Sequence, residues 1–375
     1  MEQFTGGLGI LLIFGAIIAI HEFGHFVSAK LSGMGVHEFS LGFGPALFKR
    51  EYHGTLYAIR IIPLGGYVRI AGMEPGDEDA PNGYNTKPFF AKFITLAAGA
   101  TMNFILAFVV IIVLGMAIGA MKPGNKVLID GIIPNSPASR VDLRTGDELV
   151  SVAGVQPLNQ DQARAIIGKS TQPVPIVVRR GDRLLTVTPT PKQLLTPEPE
   201  VSLDIPLVGK VPFILHMTTT HIIGVQLTMS SGQWERLNLA DSLKVGTRTV
   251  VGTVVSAAGQ FISVVSGRVP VSQLSGPVGI MNLSYKATRT EHISHIWFSS
   301  TFTLMAMLSI FIGFFNLLPI PALDGGRIFF LIIEGIRRKP LAPEKEAKIH
   351  AIGMAVLLGL VLLVTIKDVW NLFGG

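Results

Sequence analysis

Of the 375 residues, 49% are hydrophobic and only 15% charged, with a mean hydropathy of +0.50, which is too apolar for an ordinary soluble domain of this length. The net charge of +6 resides in particular loops, not in an aromatic-interleaved basic stripe, which sets nucleic-acid binding aside in favour of membrane orientation. Cysteine is absent, which excludes disulfides and thiolate ligands, so any metal must be held by His, Asp or Glu.

The N-terminus has neither a basic n-region nor a small-residue cleavage site, so the first apolar stretch is expected to be kept as a span. Stretches 7–29, 93–121, 296–320 and 350–366 each approach the roughly 20 apolar residues needed to cross a core of about 30 Å, and predict four transmembrane helices. Trp370 is placed to anchor the last at an interface. The loop after the first span reads as β structure at 39–48, 55–62 and 67–70, punctuated by Gly54 and by Pro63 with Gly65 and Gly66. Residues 74–87 are acidic and turn-rich and read as a mobile connector. A soluble segment at about 124–229 has short β-type runs around a helical stretch, 160–167, and an insert at 196–220 rich in Pro and β-branched residues. Residues 250–265 are apolar, but Arg248 and Gln260 suit a helix lying in the interface. The expected organisation is 1–123 with two spans and the β-loop, 124–232 as the soluble domain, 233–295 as interfacial helix and linker, and 296–375 with two further spans.

Lys30, Lys49, Arg50, Arg60, Arg69, Lys87 and Lys92 separate the first two spans, Arg327, Arg337, Arg338, Lys339, Lys345 and Lys348 separate the last two, and none precedes the first. The positive-inside bias puts both basic loops in the cytoplasm and the termini and soluble domain outside.

His21-Glu22-Phe23-Gly24-His25 is an HExxH motif: its spacing sets two imidazoles one helical turn apart on one face with Glu22 beside them, which suits two zinc ligands and a general base. Chance would place such a pattern in about one chain in a hundred of this size. Ionisable groups inside a span cost about 2.5–3.5 kcal/mol each, so three within five residues call for a compensating role. The plainer reading ends the span at Ile20 and solvates the motif, but Phe23, Phe26 and Val27 continue the apolar face. Fourteen residues from Gly7 to His21 put the motif about 21 Å along the core, nearer the cytoplasm.

A catalytic zinc takes a third protein ligand and leaves a position for water. Candidates are His37, His53, His216, His221, His292, His295, His350 and the carboxylates. Asp324 stands out, because in Asn316-Leu-Leu-Pro319-Ile-Pro321-Ala-Leu-Asp324-Gly325-Gly326 two prolines end a helix at membrane depth and two glycines let backbone approach closely. An Asp that merely caps the next helix is the bland alternative and does not exclude ligation. His21, His25 and Asp324 meet only if the first and third spans run in the same direction, which four spans allow and one more between them forbids.

These residues resemble the site-2 protease family of intramembrane metalloproteases, within it the bacterial regulator-of-sigma-E type, through HEFGH at 21–25, GFGP at 42–45, PLGGYVR at 63–69, SGPVGI at 275–280 and NLLPIPALDGG at 316–326. The resemblance implies a polytopic α-helical membrane protein of about four spans with a membrane-associated β-hairpin and an extracytoplasmic domain. It implies Zn2+ as cofactor, held by His21, His25 and Asp324, with Glu22 as general base. It implies that Asn316 positions substrate and that Ile61, Ile62, Pro63, Leu64, Gly65, Gly66 and Tyr67 hold unwound substrate as an added strand. Substrates would be single-pass membrane proteins already trimmed on the extracytoplasmic side, such as anti-sigma factors. Membrane lipid is the other partner, nucleic acid is not expected, and the location would be the bacterial inner membrane. Ala100 departs from the family's usual proline, which bears on helix geometry there. Asn103, within the second span, reads as a bond to a neighbouring helix.

The soluble segment resembles one PDZ domain, through Asn135-Ser136-Pro137-Ala138, 143–150 and Ala153-Gly154, with Val141-Asp142 in place of the usual Ala-Gly and 222–225 as the ligand-side strand of a circularly permuted form. In such proteases the domain acts as a filter over the membrane site. Two other classes compete. In a non-catalytic adaptor with structural zinc, Glu22 would have no task; a metal transporter would need polar residues along the remaining spans, and 350–366 offers none after His350.

Overall fold

The computed structural model describes residues 2–373 apart from 75, 78, 206–208, 269–293 and 340–342; the SGPVGI stretch and His292 therefore lie outside the described residues. The chain divides into two compact units, one of Met1–Leu114, Ser242–Ala257 and Ser272–Gly375, the other of Gly115–Asp241 and Ala258–Val271.

The first unit begins with helix α1, Glu2–Leu31, whose C-terminal turn carries Lys30, a favourable charge at that end of the dipole. Strands β1, Val36–Tyr52, and β2, Thr55–Ile70, follow. Each is bent, and together they pair in three blocks: 46–52 with 55–60 around the His53-Gly54 turn, 38–41 with 56–59, and 36–41 with 66–70. Residues 66–70 thus form one edge of the sheet. The expected break at Pro63 does not occur. Residues 63–65 have no ladder partner, so proline sits where the strand changes neighbours and no ladder bond is lost. The connector at 74–87, expected to be mobile, is tied down. Asp77 accepts the Gly72 N–H at 2.9 Å, Asn85 Nδ2 donates to Gly72 O at 2.8 Å and the Tyr84 N–H to Ala71 O at 2.7 Å.

Helix α2, Phe89–Ala117, runs unbroken through buried Ala100, so the missing proline leaves a regular helix. The second unit, next in chain order, holds β3 (Ala120–Ile132), β4 (Glu148–Val152), helix α3 (Gln160–Gly168), β5 (Ile176–Arg180), β6 (Arg183–Val187), β7 (Lys192–Ile205), β8 (Gly209–Ile222) and β9 (Val225–Glu235). Five strands form an antiparallel sheet in the order β6-β5-β4-β3-β9, and the insert is a separate β7–β8 hairpin. Pairing of Ile129 with Leu227 closes the sheet across the whole insert. The Asn159 side chain accepts the Gln162 N–H and starts α3, whose Ala163 and Ile167 pack on Val127, Val152, Val178 and Ile223.

Helix α4, Leu239–Val265, is longer than the interfacial helix expected at 250–265, because Asn238 caps it by accepting the Asp241 N–H at 2.9 Å. Its Val250 and Val254 pack with Ala107 and Phe104 of α2 and with Ala306 and Ile310 of helix α5, Ser294–Leu317. Two apolar helices, α2 and α5, thus cover that face of α4. Helices α6, Asp324–Arg337, and α7, Pro343–Phe373, complete the unit. Among the described residues three helices are long and apolar enough to cross a membrane, Leu12–Leu31, Phe89–Ala117 and Leu239–Val265, and Thr301–Leu317 is a shorter apolar helix.

Candidate active site

His21 and His25 lie one turn apart on α1, 7% and 9% exposed, with ring centroids 4.9 Å apart. Their Nε2 atoms are 3.2 Å apart and lie 3.1 and 3.2 Å from one oxygen, Oδ2, of Asp324. Donors about 2.0–2.1 Å from a tetrahedral ion stand about 3.3 Å from one another, so these three fit a zinc ion by both chemistry and spacing. Among the described residues they are the one group of three or more such side chains with that convergence.

Helix α2 makes room for the imidazoles. A Cβ on Gly99 would fall 2.3 Å from His25 Nε2 and 2.7 Å from His21 Nε2, and one on Gly24 would meet the Ala98 carbonyl at 2.4 Å. The two helices therefore approach at small residues, the usual means of close contact in a membrane. Thr95 O accepts the His25 Nδ1–H at 2.8 Å, which turns Nε2 inward.

Asp324 arrives from the other side. α5 ends at Leu317, and the turn through Pro319 and Pro321 puts Ala322 at φ 90°. The Ala322 N–H donates to His350 Nδ1 at 2.8 Å, which secures that strained residue. A Cβ at Gly325 would lie 2.2 Å from Leu318 O, and one at Gly326 2.5 Å from Ile320 O. Only glycine permits this fold-back, which leaves Asp324 as the first residue of α6.

Glu22 opens onto a cavity of about 400 Å³ shared with His25, Tyr67, Arg69, Asp324 and Arg327. Its carboxylate interacts with the Val68 backbone N–H, and a Cβ on Gly66 would sit 3.4 Å from Glu22 Cγ. Tyr67 is fixed from behind: its hydroxyl donates to Glu38 at 2.8 Å, and Arg60 donates to Glu38, Ser40 and Gly44 O at 2.6 Å each.

Of the residues expected to hold substrate, Tyr67 lines the cavity and Gly66 leaves a space that a Cβ would fill against Glu22, whereas Ile61, Ile62 and Pro63 are exposed, Gly65 is buried and the Leu64 side chain lies outside the described set. The strand edge along the cavity is 67–70, a few residues beyond the expected segment. Asn316 does not line it; its amide donates one turn back to Ile312 O at 3.0 Å. Of the other candidate ligands, His37 pairs with Asp77 at 2.9 Å, His53 packs on Tyr52 in the hairpin turn, and His221 belongs to the second unit. Sequence reasoning missed Thr95, Gly99 and Arg327; of these only Arg327, three residues past Asp324 on a helix, was open to inference.

Residues 9–360 match the family model for Peptidase family M50. A Clostridium perfringens protein named for zinc metalloprotease activity is 33% identical, covering 96% of this chain and 97% of its own length. Zinc metalloprotease RasP of Bacillus licheniformis is 29% identical over 98% of this chain and 99% of its own, and the Regulator of sigma-W protease RasP of Bacillus subtilis is 27% identical over 98% of each. The matches span nearly the whole chain, and the chain belongs to peptidase family M50, the site-2 protease family of zinc metallopeptidases.

Proposed function

We propose that the chain cleaves transmembrane segments of single-pass membrane proteins, with zinc held by His21, His25 and Asp324 and Glu22 as general base. The convergence of those three donors beside Glu22, on a strand-lined cavity, carries the reading. Zinc bound there supplies Lewis acidity to the scissile carbonyl and lowers the pKa of water to about 7. Glu22 removes a proton from the attacking water and passes it to the departing amine nitrogen. The C–N bond breaks to give a carboxylate and an amine, with no covalent enzyme intermediate.

A transmembrane helix hides its carbonyls in its own hydrogen bonds, so substrate must unwind. The 66–70 edge offers replacement backbone bonds beside Glu22, which favours strand addition there. The Arg60–Glu38–Tyr67 network keeps that edge in place.

The name of the Bacillus subtilis relative, a regulator of sigma-W protease, supports a membrane-bound anti-sigma factor as substrate class; pre-trimming outside the inner membrane rests on the family resemblance alone. The five-stranded sheet with α3 supports a PDZ-like domain acting as an extracytoplasmic filter. α1, α2, α5 and α7 are read as the crossings. α4 is read as lying against α2 and α5 without crossing, a reading supported by the meeting of His21, His25 and Asp324, which requires α1 and α5 to run in the same direction. Cysteines at Asn82 and Glu344 should then label from one side; labelling from opposite sides contradicts this topology.

The testing experiment is Glu22→Gln. Zinc content should equal wild type while cleavage of a single-pass substrate falls by about 10²–10⁴-fold, the usual size of general acid–base assistance. Normal turnover in that variant would sink the mechanism.

A further inference from the structure

The two imidazoles turn Nε2 toward Asp324 and Nδ1 away from it. A histidine that offers its Nε2 lone pair to a cation carries its proton on Nδ1 and requires an acceptor there. His25 has one, Thr95 O. Opposite His21 Nδ1, at 3.3 Å, is the side-chain amide of Asn103.

Asn103 is fully buried. With Nδ2 directed at the ring, a donor faces the Nδ1–H, and Oδ1 is left buried without a partner among the described residues. A half-turn of the amide exchanges oxygen and nitrogen without changing its shape. Oδ1 then accepts from His21 Nδ1–H. The bland reading makes Asn103 an inter-helix tether, but that bond is already made by its backbone, whose carbonyl accepts from Ser309 Oγ on α5 at 2.8 Å. The amide is left for His21.

Thr95, Gly99 and Asn103 recur every four residues and so share one face of α2. That face meets the HExxH pair at three points: an acceptor for His25, clearance for both rings, and an amide for His21. We propose that Asn103 is a positioning residue of the metal centre, whose Oδ1 accepts the His21 Nδ1–H and so fixes the tautomer and ring orientation that present Nε2 to the metal. This rests on the reading of His21 as a ligand.

The test uses the purified full-length protein, with zinc retention measured against graded chelator and thermal unfolding of the metal-free forms. Asn103→Leu keeps the volume and removes the acceptor, and should weaken zinc about 10–100-fold with metal-free stability no lower than wild type. Asn103→Asp restores an acceptor and should hold zinc more nearly like wild type than like the leucine variant. Wild-type zinc affinity in Asn103→Leu overturns the proposal. So does equal weakening in both variants accompanied by lower metal-free stability, the mark of a packing role. His21→Ala separates the two levels: retention of zinc there overturns the ligand assignment and the proposal with it, whereas loss of zinc there with no effect of Asn103→Leu overturns only the role of Asn103.

Discussion

Two carboxylates, Asp147 buried in the second unit and Asp324 partly buried in the first, have opposite surroundings. Asp147 of the second unit, 1% exposed, is gripped by Arg180 through Nε and Nη2, both at 2.8 Å, and accepts the Arg144 N–H at 2.8 Å. Arg180 also reaches Asp142, at 3.1 Å, so the Val141-Asp142 departure from the PDZ-like pattern belongs to the same network. Asp324 of the first unit faces two imidazole nitrogens, and among the described residues no Lys or Arg forms an ion pair with it. A structural carboxylate is neutralised in place by a charge the chain supplies. Where three ligating groups converge without one, the cation comes from outside the chain.

The largest expected effect follows from removing the third donor. Asp324→Ala should lose stoichiometric zinc and with it all cleavage above background, since two imidazoles seldom keep zinc alone; metal analysis after gel filtration checks this. Full zinc occupancy there would transfer the ligand role to another residue and erase the contrast with Asp147. A smaller effect is expected from crowding the donors. Gly99→Ala places a methyl against both Nε2 atoms, so α2 must shift, and zinc affinity should fall by at least about 10-fold in chelator competition.

Asp147→Ala should leave zinc and chemistry untouched and destabilise the second unit by about 2 kcal/mol, because Arg180 and the Arg144 N–H lose their acceptor. Thermal melting of the full chain reads this. The same contact is sensitive to pH. The Arg180 hydrogen bonds hold the Asp147 carboxyl below the ordinary carboxylate range, burial opposing them and the Arg144 N–H assisting. A depressed folded pKa contributes stability that is complete above the unfolded value of about 3.9 and is lost as pH falls through the lower folded value. The second unit should therefore soften below about pH 4 in the wild type and show a flatter acid limb in Asp147→Ala.

What could be read from the sequence was what local spacing encodes. HExxH fixes two imidazoles on one helical face, and the proline pair followed by Gly325 and Gly326 announces a broken helix and a close fold-back, found at the start of α6. Strands near 39–48 and 55–62 and a helix near 160–167 were legible from alternation and punctuation. The rest depends on contacts between distant segments. Thr95 and Asn103 acquire their partners only because α2 crosses α1, some 70 and 82 residues away in sequence, and no periodicity records that crossing. Pro63 signals a strand end by local rules, yet β2 continues because it changes neighbours at that residue. α4 looks interfacial from Arg248 and Gln260, and its packing on α2 and α5 through Val250 and Val254 has no sequence signature.

The most direct test of the metal centre is zinc K-edge X-ray absorption on the purified protein, wild type beside Glu22→Gln. The account predicts two imidazoles at about 2.0–2.1 Å with oxygen donors completing the shell, unchanged by the substitution. A third imidazole in the wild type, or loss of an oxygen donor in Glu22→Gln, would contradict it, the first by displacing Asp324 as ligand and the second by making Glu22 a ligand instead of the base.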